Sequence, residues 1–556
     1  MEEHSTETLW TSDRGDGTYT NPIVFADFSD PDVIRVGDTY YMTASSFNYT
    51  PGLPILTSRD LVNWRLVNYA LENLPEERFR IPRPSEGVWA PSIRYEKGWF
   101  RIYYGMPDEG IYMVRTRDPL GKWEEPVCVL PGKGLIDPCP YRAADGRYYI
   151  VHGYAKTRIG FKSHLGLFEM NADGTKAISE DHILYDGLAT QPTIEGPKVY
   201  ERDGYIYILA PAGGVKTGWQ TALRSRDIHG PFEEKIVMEQ KDSPVNGPHQ
   251  GGLVDTPEGE AYFLHFQDRG LYGRILHLQP VQWLEDWPVM GENVQDLCGQ
   301  PVMSGRIPGR QAAGEESGAG EGNGTGSAFS ERAADLRGVL TASDDFAGET
   351  LSLQWQWTGN HRDDFYSLTE REGALRLFAQ NPSGEGGAPL WRQSNVLTQK
   401  LLCPYLRATV HMDPSGLRTQ ERAGMIMMGG KYAYLAVRRS GEGFEILLAE
   451  AFEDADGQTR EREKVLAQLP GTVTDVIFGM ELADTEPEAL PYGYGKPAFG
   501  MFYQLSGQPV MPVETTFFPS DHTWVGAKPG IFACSEAADA EDCGYADFRA
   551  YTVRRI

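Results

Sequence analysis

Three acidic residues in the first half of the chain occupy similar places in the sequence and could do chemistry together. Asp30, Asp137 and Glu195 each stand beside a proline or glycine, ahead of an aromatic-rich segment. Two carboxyl groups facing one pocket can cleave a glycosidic bond, because one protonates the leaving oxygen while the other activates water. A third carboxyl nearby raises the pKa of the acid, since like charges resist joint ionisation.

A structural interpretation of each acid stands beside this one. Asp-Pro and Glu-Gly-Pro are common turn starters, so any one of these acids alone is more often structural. Asp27 and Asp32 also crowd Asp30, which allows an assignment shifted by two residues. The proline after Asp30 favours Asp30, because a residue before proline is held in an extended or turn conformation. Three acids at equivalent places in a repeat weaken the structural interpretation.

A sequence repeat predicts the elements that bring these acids together. Five times in the first 270 residues a turn glycine is followed by an aromatic-rich strand, at intervals typical of propeller blades. A β-sandwich could also show regular turns, but five segments so similar favour five blades around one axis. The segments are VGDTYYMTAS, EKGWFRIYYG, ADGRYYIVHG, RDGYIYILAP and PEGEAYFLHF.

The composition changes after Val302. Residues 303–342 are rich in Gly, Ala, Ser and Glu and predict a linker or long surface loop. Strand-like segments return from residue 343 and predict a β-sandwich domain over 343–556. The predicted architecture is therefore all-β, with a five-bladed propeller over 1–302, the linker, and a lectin-like (concanavalin, jelly-roll) sandwich.

Charge and composition narrow the class of ligand. The chain has 556 residues and a net charge of −26, which disfavours nucleic acid and anionic membrane surfaces but not a neutral oligosaccharide. No apolar run is long enough for a transmembrane helix. The N-terminus lacks the pattern of a signal peptide, and six scattered cysteines suit a reducing compartment. We expect a cytoplasmic protein, with homo-oligomer formation left open.

Five motifs, in order over about residues 20–290, resemble those of glycoside hydrolase family 43. That family comprises five-bladed propeller enzymes that remove β-xylose or α-L-arabinofuranose units, and many of its xylosidase-type members append a β-sandwich. The motifs are NPIVFADFSDPDVIRVGDTYYM, GVWAPSIRY, GLIDPCPYRAADGRYYIVHG, TIEGPKVYERDGYIYIL, and NGPHQGGLVD with YGRILHLQPV.

The resemblance implies roles for the three acids. Asp30 is the expected general base, Asp137 the modulator of pKa and orientation, and Glu195 the general acid of an inverting enzyme. Inversion requires room for water between base and sugar. One departure concerns the first motif, where the family more often reads Asp-Pro-Ser and this chain reads SDPDV.

The resemblance also implies substrate-binding residues. Phe47, Trp89 and Ala90 match the apolar wall around the terminal sugar, and aromatic faces suit the C–H faces of a pyranose. Filling of the propeller core is the alternative for Phe47 and Trp89. Arg274 matches a substrate-contacting arginine; the alternative is a salt bridge to an inner-strand acid.

His249 matches a histidine on the family's central channel, where calcium or water is often found. A core histidine is the alternative, and calcium prefers oxygen ligands. We therefore expect no required cofactor, and calcium near His249 stays an open prediction. In sandwich-bearing relatives the second domain closes one side of the pocket, and the loop around Phe517 and Phe518 is the candidate here.

The leading hypothesis is an exo-acting, inverting glycosidase that releases terminal pentoses from xylo- or arabino-oligosaccharides, with β-xylosidase as the main activity. α-L-Arabinofuranosidase is the alternative within enzymes, because the two sugars present similar hydroxyl groups. A non-catalytic, carbohydrate-binding propeller protein is the alternative from another class. A scaffold for protein partners ranks last, since it makes poor use of converging carboxylates.

Overall fold

The computed structural model describes residues 9–310, 340–483, 497–537 and 543–556, and these residues are almost entirely β-structure. Within these ranges no helix is long and apolar enough to cross a membrane. The helical elements are α1 (Lys156–Ile159) and the 3₁₀ turns Glu77–Arg80, Gly270–Tyr272, Asp363–Phe365 and Leu390–Arg392. All six cysteines are free thiols.

The first domain is a five-bladed propeller, as the repeat predicts. Its strands are β1 (Thr18–Thr20), β2 (Asp32–Val36), β3 (Thr39–Thr43), β4 (Gly52–Ser58), β5 (Arg65–Leu71), β6 (Trp89–Glu96), β7 (Trp99–Met106), β8 (Gly110–Thr116), β9 (Val127–Pro131), β10 (Leu135–Arg142), β11 (Tyr148–Tyr154), β12 (His164–Met170), β13 (His182–Asp186), β14 (Lys198–Arg202), β15 (Tyr205–Ala212), β16 (Trp219–Ser225), β17 (Glu233–Glu239), β18 (His249–Asp255), β19 (Ala261–Asp268), β20 (Arg274–Leu284), β21 (Trp287–Met290), β22 (Glu292–Gln295), β23 (Cys298–Gln300) and β24 (Ser304–Arg306).

Each blade is an antiparallel sheet of four consecutive strands. The blades, numbered I to V, are β2–β5, β6–β9, β10–β13, β14–β17 and β18–β21, and blade IV is extended by β23 and β22. Every predicted aromatic segment forms the second strand of its blade. In blades I and III this strand is buried along its whole length, because both faces pack against other parts of the protein. That burial explains why these strands read as continuous apolar and aromatic runs.

The ring closes between blades V and I. The segment leading into blade I runs along β20, where the Ile23 and Leu276 backbones are hydrogen-bonded at 2.8 Å. On the inner side, β18 lies directly against β2: a Cβ built on Gly252 would lie 2.8 Å from the Val33 backbone nitrogen. Glycine is therefore required sterically at this closure.

The start of the predicted linker is ordered structure. Strand β24 pairs with β1, and Ile307 just beyond it is buried. An apolar side chain at residue 307 and the free edge of β1 explain why the chain stays on the propeller past residue 302. Residues 311–339, the rest of the Gly-rich stretch, lie outside the described residues.

The second domain consists of two seven-stranded sheets, in the orders β25-β28-β37-β30-β31-β32-β33 and β26-β27-β38-β29-β34-β35-β36. Side chains alternate between buried and exposed along β29, as expected where one sheet face packs on another. The strands are β25 (Gln356–Trp357), β26 (Tyr366–Ser367), β27 (Leu375–Phe378), β28 (Val396–Thr398), β29 (Tyr405–Asp413), β30 (Glu421–Met428), β31 (Ala433–Ser440), β32 (Gly443–Glu453), β33 (Thr459–Leu469), β34 (Val476–Ala483), β35 (Ala498–Leu505), β36 (Met511–Val513), β37 (Lys528–Ser535) and β38 (Tyr545–Arg554).

The two domains share one hydrophobic core. Phe25 and Leu271 of the propeller belong to the same buried cluster as Trp357 and Leu401 of the sandwich. Hydrogen bonds between backbones cross the interface, with Thr50 N–H donating to Trp357 carbonyl oxygen at 3.0 Å. The sandwich is thus a fixed part of the propeller's surface, close to blades I and V.

Gly252→Ala tests the ring closure. Its Cβ would meet the backbone of β2, which has no room to move, so we expect a loss of about 1–3 kcal/mol, as for overpacking. Thermal unfolding followed by circular dichroism measures it as a lowered Tm. Gly500→Ala is the matched control, because a Cβ there meets nothing within 4 Å. Equal Tm values for the two variants would contradict the proposed closure.

Candidate active site

The residues that open the innermost strands share an unusual backbone conformation. Asp30, Ala90, Asp137, Gly196 and Gln250, one from each blade, have φ angles of 53°, 32°, 56°, 58° and 23°. At Ala90, Asp137 and Gln250 the pairing with the second strand also shifts register. Such a bulge turns a side chain out of the regular alternation. Non-glycine residues hold these angles where the surrounding structure enforces them. The repeat therefore places one special residue per blade at the same end of the propeller.

Asp30 is a buried carboxylate with three donors. Arg274 Nη1 donates to Oδ1 at 2.9 Å, and the hydroxyl groups of Ser29 and Ser45 donate to Oδ2 at 2.8 and 2.6 Å. Ser45 Oγ in turn accepts the backbone N–H of Ala90 at 2.7 Å. A guanidinium and two hydroxyl groups thus fix the position and orientation of the Asp30 carboxyl group.

Asp137 is buried between the other two acids. Its Oδ2 accepts the Gly196 backbone N–H at 2.8 Å and the Gln250 amide at 3.3 Å. Burial, followed by the negative charges of Glu195 and Asp30, raises the pKa of Asp137 from 3.8 to about 8. The three carboxyl groups are therefore close enough to affect one another's ionisation.

Glu195 is the most accessible of the three acids, with one third of its side chain exposed. Its Oε1 lies 2.8 Å from His249 Nε2. The next residue, Gly196, donates its N–H to Asp137, and a Cβ there would lie 2.6 Å from the Gln250 side chain. The Glu-Gly-Pro turn thus brings the Glu195 carboxyl to the axis, and glycine at 196 lets the turn pack against Gln250.

The predicted apolar wall lies beside the acids. Phe47 and Trp89 belong to one buried cluster with Ile136, the neighbour of Asp137. Trp89 Nε1 donates to the Ser85 carbonyl oxygen at 3.0 Å, which fixes the indole. Ala90 contributes its backbone N–H to Ser45.

Trp524 of the sandwich domain completes this wall and was missed by the sequence analysis. Its ring meets that of Trp89 edge to face, with centroids 4.8 Å apart, and Val525 joins the same buried cluster. The expectation that the loop around Phe517 and Phe518 closes the pocket is wrong. Phe517 packs on Phe499, 5.5 Å away between ring centroids, and Phe518 is 40% exposed.

Asp27 and Asp32 are not the acids that face Asp137 and Glu195. Asp32 accepts hydrogen bonds from Arg94 and from the Ile93 backbone, at 2.6 and 2.8 Å, inside the propeller. Asp27 lies at the boundary with the sandwich, where the Gly526 N–H donates to it. Because Asp30 has a positive φ, its side chain points in a different direction from those of Asp27 and Asp32.

For Arg274 and His249, the structure combines the functional and the structural interpretations given in the sequence analysis. Arg274 is buried and pairs with an acid, but that acid is Asp30 itself, so the salt bridge is part of the site. His249 is a core histidine whose Nε2 faces Glu195. Its buried Nδ1 has no hydrogen-bond partner in the described structure.

The described residues do not form a calcium shell. They contain no cluster of three or more His, Cys, Asp or Glu side chains able to hold a metal. Calcium takes six to eight oxygen ligands, and the unpartnered atom at His249 is a nitrogen. No step of the chemistry below depends on a metal.

This geometry defines a class of enzyme. A carboxyl group paired with an arginine, a second at the accessible side and a third buried beside them can supply the acid and base that glycosidic bond hydrolysis requires. On a five-bladed propeller with an aromatic pocket, they define a glycoside hydrolase.

Comparison with known proteins identifies the family. A family model described as "Glycosyl hydrolases family 43" matches residues 19–288, and one described as "Beta xylosidase C-terminal Concanavalin A-like domain" matches 343–554. A relative from Xylanibacter ruminicola is 34% identical over 526 residues, 94% of this chain and 88% of its own. The chain belongs to glycosyl hydrolase family 43.

Further relatives and solved structures agree with this assignment. A "Beta-xylosidase" of Formosa agariphila is 29% identical, covering 97% of this chain and 91% of its own. A "Non-reducing end alpha-L-arabinofuranosidase" of Bacteroides ovatus is 29% identical over 65% of each chain. A solved "Bifunctional GH43-CE" protein of Bacteroides eggerthii has a TM-score of 0.78 and 26% identity, over 97% of this chain and 64% of that one. The Bacillus licheniformis GH43 structure shares the fold, with a TM-score of 0.76 at 24% identity over 97% of this chain and all of that one.

Asp137→Asn tests the electrostatic coupling of the three acids. The carboxyl groups of the cluster compete for a proton, and burial with the negative charges of Glu195 and Asp30 raises the pKa of Asp137 to about 8. An amide at 137 leaves one ionisable group fewer in the cluster, so the remaining acids are expected to hold the proton less strongly and activity to be lost at a lower pH on the basic side. We expect the basic limb of kcat/KM to move down by about one pH unit or more. A pH–rate profile measures it, and an unmoved basic limb would contradict the coupling.

The same variant has a predicted effect on stability. The folded pKa of Asp137, about 8, lies above its ordinary value of 3.8. Its stabilising contribution is therefore complete below pH 3.8 and is lost as pH rises toward 8. We expect the Tm of Asp137→Asn, relative to the parent, to increase across this window. A constant difference in Tm would contradict the raised pKa.

Proposed function

We propose that this protein is an exo-acting, inverting glycoside hydrolase that releases terminal pentoses from xylo- or arabino-oligosaccharides, with β-D-xylosides as the main substrate. The observation that carries the proposal is the difference in environment among the three acids. Asp30 is held by Arg274 and two hydroxyl groups, Asp137 is buried with a raised pKa, and Glu195 is partly exposed.

Each acid has one step in the proposed reaction. Asp30 takes a proton from water as the water oxygen bonds to the anomeric carbon. Glu195 gives its proton to the glycosidic oxygen as the bond to that carbon breaks. A His249 N–H donated to Oε1 leaves Oε2 for this proton. Asp137 remains beside Glu195, and its Oδ2 holds the backbone N–H of Gly196 in the turn that carries this acid.

The aromatic wall supports an exo mode. Trp89 and Trp524 come from different domains and meet edge to face beside the acids. Their faces suit the C–H faces of a sugar ring. We propose that the sandwich blocks a continuing sugar chain on that side. A terminal residue of a neutral oligosaccharide is the substrate that this enclosure favours.

The choice of xylose rests on the relatives. Both xylosidase and arabinofuranosidase names occur among them, and the sandwich matches a model described by β-xylosidase. α-L-Arabinofuranosides are therefore the second candidate substrates. We also propose calcium near His249 as an optional ligand of the central channel, with water filling most of its coordination shell.

Glu195→Gln and Asp30→Asn test the assigned roles. Each is expected to lower kcat on xylobiose about 10²–10⁴-fold, the usual contribution of an acid or base. Glu195→Gln should lose less on nitrophenyl xyloside, because nitrophenolate leaves without a proton, whereas Asp30→Asn should lose similarly on both. Glu201→Gln, an exposed acid on the same blade, is the control expected at the parent rate. Equal losses for Glu195→Gln on both substrates would contradict its role as the acid.

Product analysis tests the activity itself. NMR spectroscopy during cleavage of nitrophenyl β-xyloside is expected to show α-xylose first, which is the inverted anomer of a β-xyloside. Initial β-xylose would contradict inversion. Faster release from nitrophenyl arabinofuranoside would favour arabinofuranosidase as the main activity. Sugar binding without release of a reducing end would favour the non-catalytic alternative.

A further inference from the structure

Asp27 is a buried acid that the proposed mechanism does not use. It lies three residues before Asp30 and is 6% exposed. Its two carboxyl oxygens accept hydrogen bonds from different domains. The backbone N–H of Arg274 in blade V donates to Oδ1 at 3.1 Å, and that of Gly526 in the sandwich donates to Oδ2 at 3.0 Å.

Two glycines leave room for this carboxylate. A Cβ built on Gly273 would lie 2.4 Å from Asp27 Cγ, so a side chain at 273 would displace the carboxyl group. A Cβ on Gly526 would lie 2.7 Å from the Gly273 backbone nitrogen. The propeller and the sandwich thus meet backbone to backbone, with Asp27 joining them.

Charge complementarity crosses the interface at the same place. The sandwich contributes Lys400 and Lys528, both buried, and Lys400 Nζ donates to the Asp27 carbonyl oxygen at 2.5 Å. Burial lowers the pKa of both lysines, and the charge of Asp27 opposes this for each. Two buried sandwich amines therefore lie near Asp27, one of them hydrogen-bonded to its backbone carbonyl oxygen.

Asp27 is linked to the active site through both residues that donate hydrogen bonds to it, Arg274 and Gly526. Arg274, whose backbone it holds, extends its guanidinium to Asp30 and to Ser29 Oγ, at 2.9 and 2.7 Å. Gly526 follows directly on Trp524 and Val525, which belong to the pocket wall. One carboxylate thus sets the position of the base's cationic partner relative to the wall of the pocket.

We propose that Asp27 is a positioning residue, which couples docking of the sandwich segment 524–526 to the placement of Arg274 and Asp30. The part of this proposal that concerns turnover rests on the proposed function. The coupling of the two segments does not, and it can be measured without substrate.

Hydrogen–deuterium exchange of the full chain tests the coupling. In Asp27→Ala, the N–H groups of Arg274 and Gly526 both lose their acceptor, so peptides containing each are expected to exchange faster. Asn360→Ala is the matched control, because it also removes two hydrogen bonds across the interface, to the N–H and carbonyl of Leu74 at 2.8 Å each. The control is expected to leave both peptides protected.

Kinetics test the consequence for catalysis. Asp27→Ala is expected to lower kcat/KM about 10- to 100-fold, as for a small misplacement of catalytic groups. Asn360→Ala is expected to lower Tm by a similar amount without this loss. Asp27→Asn keeps one acceptor, so its activity is expected to lie between that of Asp27→Ala and the parent.

The outcomes separate this proposal from the proposed function. Faster exchange in both peptides, with activity lost in Asp27→Ala and retained in Asn360→Ala, supports positioning. Faster exchange in one peptide alone, or equal activity losses in the two variants, overturns it. If the parent cleaves no pentoside, the proposed function fails while the exchange result still decides the coupling. Should Asp27→Ala not fold, Gly526→Ala tests the same contact from the sandwich side, with the same two peptides as readout.

Discussion

The convergence of three carboxyl groups on one axis, with Asp30 and Asp137 buried and Glu195 partly exposed, is the constraint on which the rest of the structure depends. Charges this close resist joint ionisation, and burial increases the effect, so the cluster retains a proton near neutral pH. The fold places different hydrogen-bond donors on these acids, so their mutual repulsion is offset more at one acid than at another. Asp30 receives a guanidinium and two hydroxyl donors, whereas Asp137 has a backbone N–H and an amide. This inequality agrees with the different roles proposed for Asp30, the base, and for Asp137, the modulator of the acid Glu195.

The backbone geometry of the blades makes the site residues converge, and the second domain forms part of the wall beside them. A residue with positive φ opens every innermost strand, so five similar blades present different groups to one point. The sandwich shares a core with blades I and V and adds Trp524 to the pocket wall. The pocket is thus a property of both domains. The contacts around Asp27 lie where the two meet, and they use glycine on each side because the backbones touch.

Much of this could be predicted from the sequence, and the limits have physical causes. The turn-glycine and aromatic repeat identified the propeller and predicted that Asp30, Asp137 and Glu195 converge. In the structure Gly196, rather than Glu195, occupies the position equivalent to Asp30 and Asp137. The pairing of β24 with β1 at the start of the predicted linker was not foreseen, because it depends on a strand edge formed about 285 residues earlier. Trp524 was missed because the sequence around it contains no motif that indicates a contact with the propeller. The contacts of Ser45 and Gln250 depend on bulges and on distances between blades, which sequence periodicity does not encode.

The most direct test of the central claim is infrared spectroscopy of the carboxyl groups as a function of pH. Difference spectra between the parent and Asp137→Asn isolate the protonated carboxyl band of the cluster. The account predicts that this band is present in the parent at neutral pH and disappears as pH rises through about 8. A parent protein with no protonated carboxyl at neutral pH would contradict it.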